Sequence, residues 1–138
     1  MPDSPDPELT RFLHDAMPFA KVLGIEVVRL DGEAAVFTVR WAAERCTSNG
    51  VLHGGYLMSV VDSAGAACAL QHLPEGAGTS TIESKTNFLG AVRAGTVTVT
   101  STPVHVGRTT IVVQTDARDE RGKLVTRSLQ TQAVLQPR

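Results

Sequence analysis

The sequence of 138 residues predicts an α+β domain, in which an antiparallel sheet of about six strands wraps around one long helix. Several segments alternate apolar and polar residues, which is the period of half-buried strands. One alanine-rich segment instead has the character of a long helix. The predicted order is β-β-α-β-β-β-β after a short helix, and a sheet that surrounds the single long helix buries both layers.

Composition favours one small globular domain, with 42% hydrophobic and 20% charged residues. The formal net charge of -1 argues against a nucleic-acid partner or a basic membrane anchor. No apolar run reaches the roughly 18 residues of a membrane span, and the start of the chain does not resemble a secretory signal. We therefore expect a cytoplasmic protein, with a tail and short helix over residues 1–17 and a single domain over 18–138.

The N-terminal segment carries Pro2, Pro5 and Pro7, so residues 1–7 are predicted to be a loose tail. Residues 8–17 place apolar side chains on one face of a short helix, which Pro18 is expected to end.

Two strands are predicted next, over residues 25–30 and 34–41. The Asp31-Gly32 pair between them is a hairpin signal, so the two strands should pair antiparallel. Residues 42–52 are irregular in pattern.

The long helix is predicted over residues 56–72, directly after Gly54-Gly55, and Pro74 and Gly76 mark its end. Gly65 in its middle costs about 1 kcal/mol relative to alanine. Close packing of helix against sheet would explain why glycine is found there.

Four further strands complete the sheet. Residues 96–102 alternate threonine with Val97, Val99 and Ser101, which predicts one buried and one wetter face. Pro103 indicates an edge or a bulge late in the same strand. The four predicted strands are residues 79–89, 96–106, 109–117 and 124–135.

Asp62 is the only formal charge between Cys46 and Pro74, and it lies in the middle of the predicted helix. Burial of an unpartnered carboxylate costs several kcal/mol, so Asp62 either faces water or faces a polar cavity that uses it. Helical spacing puts it on a small polar stripe, which could line a ligand site, with Ser59, Ser63 and Ala66.

The start of the helix, Leu52-His53-Gly54-Gly55, offers backbone N–H groups that have no intrahelical partner. Such donors suit a carbonyl that becomes an oxyanion during acyl transfer, although two glycines can also simply form a tight turn. His53 could orient this loop or donate a hydrogen bond to a bound carbonyl.

Other chemistries lack their motifs. The sequence contains no GxSxG, GxGxxG or GxxxxGK[ST] pattern, and its four histidines show no ligand spacing. We therefore expect no metal and no separate cofactor.

The segment from Asn49 to Gly55, followed by Asp62, resembles the His-Gly-Gly-to-helix signature of hotdog-fold acyl-CoA thioesterases. The subgroup is the PaaI-like one, typified by the thioesterases of phenylacetate degradation. Residues 18–25, 86–95 and 106–110 resemble other parts of the same family, so the similarity spans about residues 18–135.

The resemblance implies hydrolysis of an acyl-CoA thioester to a free acid and coenzyme A, the latter being part of the substrate. It implies that Asp62 acts as general base on water or as nucleophile. It also implies that the Gly54 amide holds the thioester oxygen with Gly55 beside it, and that His53 helps at the carbonyl or positions the loop.

The family's helper Ser or Thr on the strand after the helix falls on Thr81, with Ser80 as the alternative. An amide residue is common six positions before the histidine. This sequence has Thr47 there, and Asn49 is near but out of register, so which of the two side chains positions water or thioester stays open.

The resemblance further implies an active site built across a homodimer, with dimers pairing into a homotetramer. Arg93 and Arg108 are candidates for binding the coenzyme A phosphates. Phe19 and Leu23 are candidates for the pocket of an acyl group, expected to be aryl or short to medium in length.

Two other functions are compatible with the same fold. One is a hydratase or dehydratase acting on enoyl-CoA or β-hydroxyacyl chains, for which the long dehydratase-type helix motif is missing. The other is a non-enzymatic acyl-CoA-binding module. Such modules usually accompany a DNA-binding segment, whereas only a short acidic tail precedes this domain.

Overall fold

The computed structural model describes residues 4–137 and confirms the predicted α+β architecture. Short 3₁₀ turns at Ala43–Arg45 and Ser48–Gly50 occupy the segment that was predicted to be irregular. The helices are α1 (Pro7–Ala16), α2 (Pro18–Val22) and α3 (Gly54–Leu70), and the strands are β1 (Glu26–Leu30), β2 (Ala35–Arg40), β3 (Gly78–Phe88), β4 (Thr96–Val106), β5 (Thr110–Arg118) and β6 (Leu124–Leu135).

The six strands form one antiparallel sheet in the order β1-β2-β4-β5-β6-β3. Helix α3 packs on one face of this sheet and contacts every strand from β2 to β6. Its apolar residues, among them Leu57, Val60, Val61 and Ala64, are buried against the inner faces of these strands. This is the hotdog arrangement that the sequence predicts.

The alternation in β4 is confirmed, because Val97, Val99 and Ser101 are fully buried while the threonines between them are not. The bulge expected near Pro103 is also present as a register shift between Pro103 and His105 in the β4–β5 pairing. The β2–β4 pairing ends at Ser101, so Pro103 also lies where the β2 side of β4 is unpaired, and both expected features meet at this residue.

The N-terminal segment is more ordered than a loose tail over the part that is described, and residues 1–3 of that prediction lie outside the described residues. Asp6 caps α1 by accepting hydrogen bonds from the backbone N–H groups of Glu8 and Leu9, at 2.9 and 3.1 Å. Pro18 follows α1 as predicted but also begins α2, because proline is well tolerated in the first turn of a helix.

The two edges of the sheet differ. At the β1 edge, Val27 donates its N–H to Thr10 Oγ1 at 2.9 Å and accepts from Asp6 N at 2.7 Å, so the N-terminal segment covers this strand. At the β3 edge, no backbone partner from residues 4–137 covers the side away from β6. An uncovered strand of 11 residues is a template for pairing with another chain.

No helix within residues 4–137 combines the length and apolar character needed to cross a membrane.

Candidate active site

The first turn of α3 is organised by His53. Its Nδ1 accepts a hydrogen bond from the Gly55 N–H at 2.8 Å, which caps the helix. A neutral imidazole that accepts at Nδ1 carries its proton at Nε2, so His53 presents a donor beside the helix terminus. A Cβ at residue 55 would lie 2.9 Å from this Nδ1, so Gly55 is needed for the cap.

Gly54 supplies an open backbone donor. As the first residue of α3 it has no intrahelical acceptor for its N–H, and it donates to no other group in the described part of the chain. The ring of Phe88 lies against it, and a Cβ at residue 54 would be 3.0 Å from that ring. The donor lies at the positive end of the helix dipole, where a carbonyl oxygen that gains negative charge is stabilised.

Asp62 lies two turns further along α3, exposed in the single chain but held by hydrogen bonds. Its Oδ1 accepts from Gln130 Nε2 at 2.9 Å and from Thr81 Oγ1 at 3.3 Å. The sequence left open whether Asp62 faces water or a polar cavity. In the structure Asp62 borders solvent and also contacts a polar cluster on the sheet.

That cluster centres on two glutamines of β6, Gln130 and Gln132, each 1% exposed. Gln132 Oε1 accepts from Thr81 Oγ1 and from Gln130 Nε2, both at 2.7 Å. Gln132 Nε2 in turn donates to Thr79 Oγ1 at 3.0 Å. A chain of polar side chains thus runs beneath α3 and ends at the Asp62 carboxylate.

The two glutamines were not identified from the sequence. Leu129, Ala133 and Leu135 lie on the strand face opposite the glutamines, which favours that apolar face as the inner one. The structure has the opposite arrangement, since the glutamine face lies under α3 and Leu129 is 44% exposed. The available signal was the spacing of the glutamines, because residues two apart on a strand share one face.

Gly65 is explained by the same cluster. A Cβ at residue 65 would overlap the side-chain amide of Gln130, so only glycine lets the helix lie this close to β6. The close helix-to-sheet packing expected at this residue is therefore confirmed.

The predicted polar stripe of α3 is only partly open. Ser63 is 5% exposed and donates to the Ser59 backbone oxygen at 2.8 Å, while Ser59 Oγ donates to the Gly55 oxygen at 2.9 Å. Both hydroxyls are therefore bonded back to their own helix, and Asp62 is the residue of the stripe that reaches the polar cluster.

Gly54 and Asp62 are not neighbours within one chain. They are eight residues apart on a continuous helix, which corresponds to a rise of about 12 Å along its axis. One thioester group cannot contact both within a single protomer.

Among the other predicted residues, Thr81 reaches Asp62 and Ser80 does not. Ser80 pairs with Ala133 on the outer face of the sheet, whereas Thr81 pairs with Gln132 on the helix side. Thr47 and Asn49 lie in the loop before α3 with exposed side chains, and Asn49 adopts a left-handed conformation with φ of 62°.

Arg93 and Arg108 lie at opposite ends of the protomer. The loop of Arg93 is joined to the start of α3 by the hydrogen bond from Leu52 N to the Val92 oxygen, 2.9 Å. Arg108 lies in the β4–β5 turn and lines a cleft with His72 and Leu73, just after α3 ends. Because α3 is about 25 Å long, the two arginines of one chain cannot share a ligand phosphate.

A cleft of about 430 Å³ opens beside His53, and its lining includes Leu23, Arg45 and Tyr56 but not Phe19. The Tyr56 hydroxyl donates to the Leu23 oxygen at 2.6 Å, and the Arg45 guanidinium lies 5.3 Å from the centre of its ring. Burial raises the pKa of Tyr56 more than the nearby charge of Arg45 lowers it, so this hydroxyl stays protonated.

Metal-ligating residues do not gather within residues 4–137. No group of three or more His, Cys, Asp or Glu side chains there is arranged to hold an ion.

Comparisons with known proteins agree with the observed fold. The sequence model of the thioesterase superfamily matches residues 49–126, a segment that includes the start of α3, Asp62 and β3. The acyl-coenzyme A thioesterase PaaI of Escherichia coli is 35% identical over 108 residues, which cover 77% of this chain and 74% of that protein.

The 1,4-dihydroxy-2-naphthoyl-CoA hydrolase of Listeria monocytogenes is 29% identical over 122 residues, covering 88% of this chain and 99% of that protein. Among solved structures, a thioesterase from Haemophilus influenzae superposes with a TM-score of 0.86 at 28% identity. The superposition covers 97% of this chain and 93% of that one.

Proposed function

Because the chain belongs to the thioesterase superfamily and is a thioester hydrolase, we propose that it cleaves acyl-CoA thioesters at a site that two copies share. In this site the Gly54 amide of one copy holds the carbonyl oxygen, and Asp62 of the other copy acts on the carbonyl carbon. The observation that carries the proposal is the separation of these two groups by about 12 Å within one chain.

The uncovered edge of β3 supports the same assembly. If two copies pair antiparallel along this edge, the N-terminal half of one β3 lies opposite the C-terminal half of the other. Asp62 contacts the N-terminal half through Thr81, and Gly54 contacts the C-terminal half through Phe88. Pairing of the two strands therefore brings the acid of one copy towards the helix terminus of the other.

The carbonyl oxygen accepts the Gly54 N–H, with the His53 Nε2–H as a second donor within the same turn. Both donors are fixed before the reaction begins, because the cap between His53 and Gly55 sets the loop geometry. Donors fixed in this way stabilise the oxyanion of the tetrahedral intermediate more than the neutral ground state.

Asp62 then acts in one of two ways. As general base it removes a proton from water, whose oxygen bonds to the carbonyl carbon. The intermediate collapses, the carbon–sulfur bond breaks and the thiolate receives the proton. As nucleophile its carboxylate bonds to the carbonyl carbon, the carbon–sulfur bond breaks and coenzyme A leaves as a thiolate; water then hydrolyses the resulting acyl anhydride, and a proton from that water goes to the thiolate. Both routes convert one thioester and one water into a carboxylic acid and coenzyme A.

The remaining predicted residues take supporting places in this proposal. Thr81, 3.3 Å from the carboxylate, helps to hold the acid or its water. Ser80 points to the outer face and is not assigned a part in the reaction. Thr47 and Asn49 lie in the loop that precedes Gly54 and Gly55, where an exposed side chain can meet the substrate.

The acyl group is proposed to be aryl or short to medium in length, and to enter the cleft that Leu23 and Tyr56 line beside His53. The hydrolase of a naphthoyl-CoA among the relatives supports an aryl group.

Antiparallel pairing of two copies would put Arg93 of one at the same end as Arg108 of the other, where both can meet the coenzyme A phosphates. Pairing of dimers into a homotetramer and a cytoplasmic location are part of the same proposal.

The direct test is the Asp62→Asn variant, which keeps the shape of the side chain but removes its basicity. We expect a loss of about 10²- to 10⁴-fold in kcat for release of free thiol from aryl-CoA and acyl-CoA substrates. Thiol release is followed with a chromogenic disulfide, and thermal unfolding checks that the variant is folded. Activity within twofold of the unmodified protein would contradict the assignment of Asp62.

A further inference from the structure

We propose that Gln130 is the positioning residue of the active-site acid: it fixes the Asp62 carboxylate in one orientation and leaves Oδ2 as the oxygen that reacts. This inference rests on the proposed function, because it assigns to Gln130 an effect that acts through Asp62.

The hydrogen-bond distances single out Gln130 and not Thr81. Thr81 has one hydroxyl proton and two acceptors, Gln132 Oε1 at 2.7 Å and Asp62 Oδ1 at 3.3 Å. The shorter contact takes that proton. Gln130 Nε2 has two protons, and its two short contacts are Gln132 Oε1 at 2.7 Å and Asp62 Oδ1 at 2.9 Å. The Asp62 carboxylate therefore accepts its hydrogen bond from the amide of Gln130.

The amide of Gln130 cannot turn over to present its oxygen instead. Its two short contacts are both to acceptors, so a reversed amide would set oxygen against oxygen at each of them. The backbone of Gly65 closes the space on the other side of the side chain. The orientation of the donor is thus determined by its neighbours before any substrate is present.

The buried amide of Gln130 lowers the stability of the fold, so packing alone does not explain why glutamine is found at this position. Gln130 Oε1 is buried and has no hydrogen-bond partner within the part of the chain that is described. A buried acceptor without a partner destabilises the fold, and an apolar side chain of similar volume would avoid the loss. In return, the Gln130 amide donates to Gln132 Oε1 and to Asp62 Oδ1, and the second of these hydrogen bonds reaches the active-site acid.

The two oxygens of the carboxylate are consequently different. Oδ1 faces both groups of the sheet, Gln130 Nε2 at 2.9 Å and Thr81 Oγ1 at 3.3 Å, and within residues 4–137 Oδ2 accepts no hydrogen bond. Holding one oxygen restricts the rotation of the carboxylate, so Oδ2 is left outside the polar cluster on an exposed side chain. A base or nucleophile held in one orientation reacts faster than one that samples several.

The test replaces Gln130 by methionine, which has a similar volume and no N–H. We expect Gln130→Met to lower kcat by about 10- to 100-fold, since a hydrogen bond to a charged group is lost, and to leave KM within about threefold. Thr81→Val should lower kcat by a smaller factor than Gln130→Met. A kcat for folded Gln130→Met within twofold of the unmodified protein would overturn the proposal, and so would a larger loss in Thr81→Val.

The control is Thr115→Val, which removes a buried hydrogen bond to Ser101, 2.9 Å long, elsewhere under α3. It should reduce thermal stability without lowering kcat more than twofold. An equal loss of kcat in Thr115→Val would mean that any damage beneath α3 reduces the rate, and would overturn a specific function for Gln130.

If Gln130→Met does not fold, Gln130→Leu provides the second variant, because its shorter apolar side chain also lacks the N–H donor. Its kcat should fall at least 10-fold. Retention of full activity would overturn the proposal. The two proposals fail in different ways. An active Asp62→Asn variant would contradict the proposed function. An inactive Asp62→Asn variant together with an active Gln130→Met variant would contradict only the role of Gln130.

Discussion

The two ring nitrogens of His53 have separate consequences. Nδ1 caps α3 by accepting from the Gly55 N–H at 2.8 Å, which is a matter of stability. Nε2, which then carries the proton, is the second donor proposed for the thioester oxygen, which is a matter of rate. Substitutions can separate these two contributions because asparagine also caps helices.

We predict that His53→Ala lowers the free energy of unfolding by about 1 kcal/mol, since the helix loses its cap. His53→Asn should restore most of that stability. Both variants should lose about 10-fold or more in kcat, because neither retains the imidazole donor at the carbonyl. Urea denaturation and thiol-release kinetics on the same preparations measure the two effects. Full activity in His53→Asn would limit His53 to the cap.

At the level of single residues, the sequence predicts Asp62 and Gly54 as site candidates because both are conspicuous locally. Asp62 is an isolated charge in a helix, and Gly54 begins that helix after a histidine. Gln130 and Gln132 are inconspicuous, because glutamine on a strand normally faces solvent. Their burial depends on which face of β6 meets α3, and that is decided by packing between elements distant in sequence.

At the level of elements, the contact between α3 and β6 depends on Gly65. Alanine is ordinarily better than glycine inside a helix by about 1 kcal/mol. Here the added Cβ would overlap the Gln130 amide, so the helix or the glutamine would have to move. Overpacking of a close contact usually outweighs the helix propensity of a single residue.

We therefore predict that Gly65→Ala destabilises the protein by about 1 to 3 kcal/mol and lowers kcat, because the displaced amide no longer holds Asp62. The matched control is Gly32→Ala in the β1–β2 turn, where a Cβ meets nothing within 4 Å and stability should change by less than about 1 kcal/mol. Urea denaturation and kinetics measure both variants. A Gly65→Ala variant as stable and active as the Gly32→Ala control would contradict this description of the contact.

The elements themselves were largely predictable, because strands and the long helix have different periods and the turns carry Gly, Pro and Asp. Two features were not. Helix α2 was missed because Pro18 indicates the end of a helix as readily as the beginning of the next. The inner face of β6 was hidden because its polar residues are buried with partners from β3, and no local pattern reports such pairing.

At the level of the whole molecule, the central claim is that a single chain holds half of each active site. The distance between Gly54 and Asp62 along α3 and the uncovered edge of β3 both support it. The claim can be tested without a structure of the complex, because a shared site allows two inactive variants to complement one another.

Asp62→Asn removes the acid. Gly54→Pro removes the N–H donor with a residue that is favoured at the first position of a helix. Each variant alone should be inactive. When the two are unfolded together and refolded in equal amounts, half of the dimers contain one chain of each kind. Each mixed dimer has one site with both groups intact, so the mixture should recover about one quarter of the activity of the unmodified protein. A mixture that stays as inactive as its components, although mass spectrometry detects mixed dimers, would contradict the account.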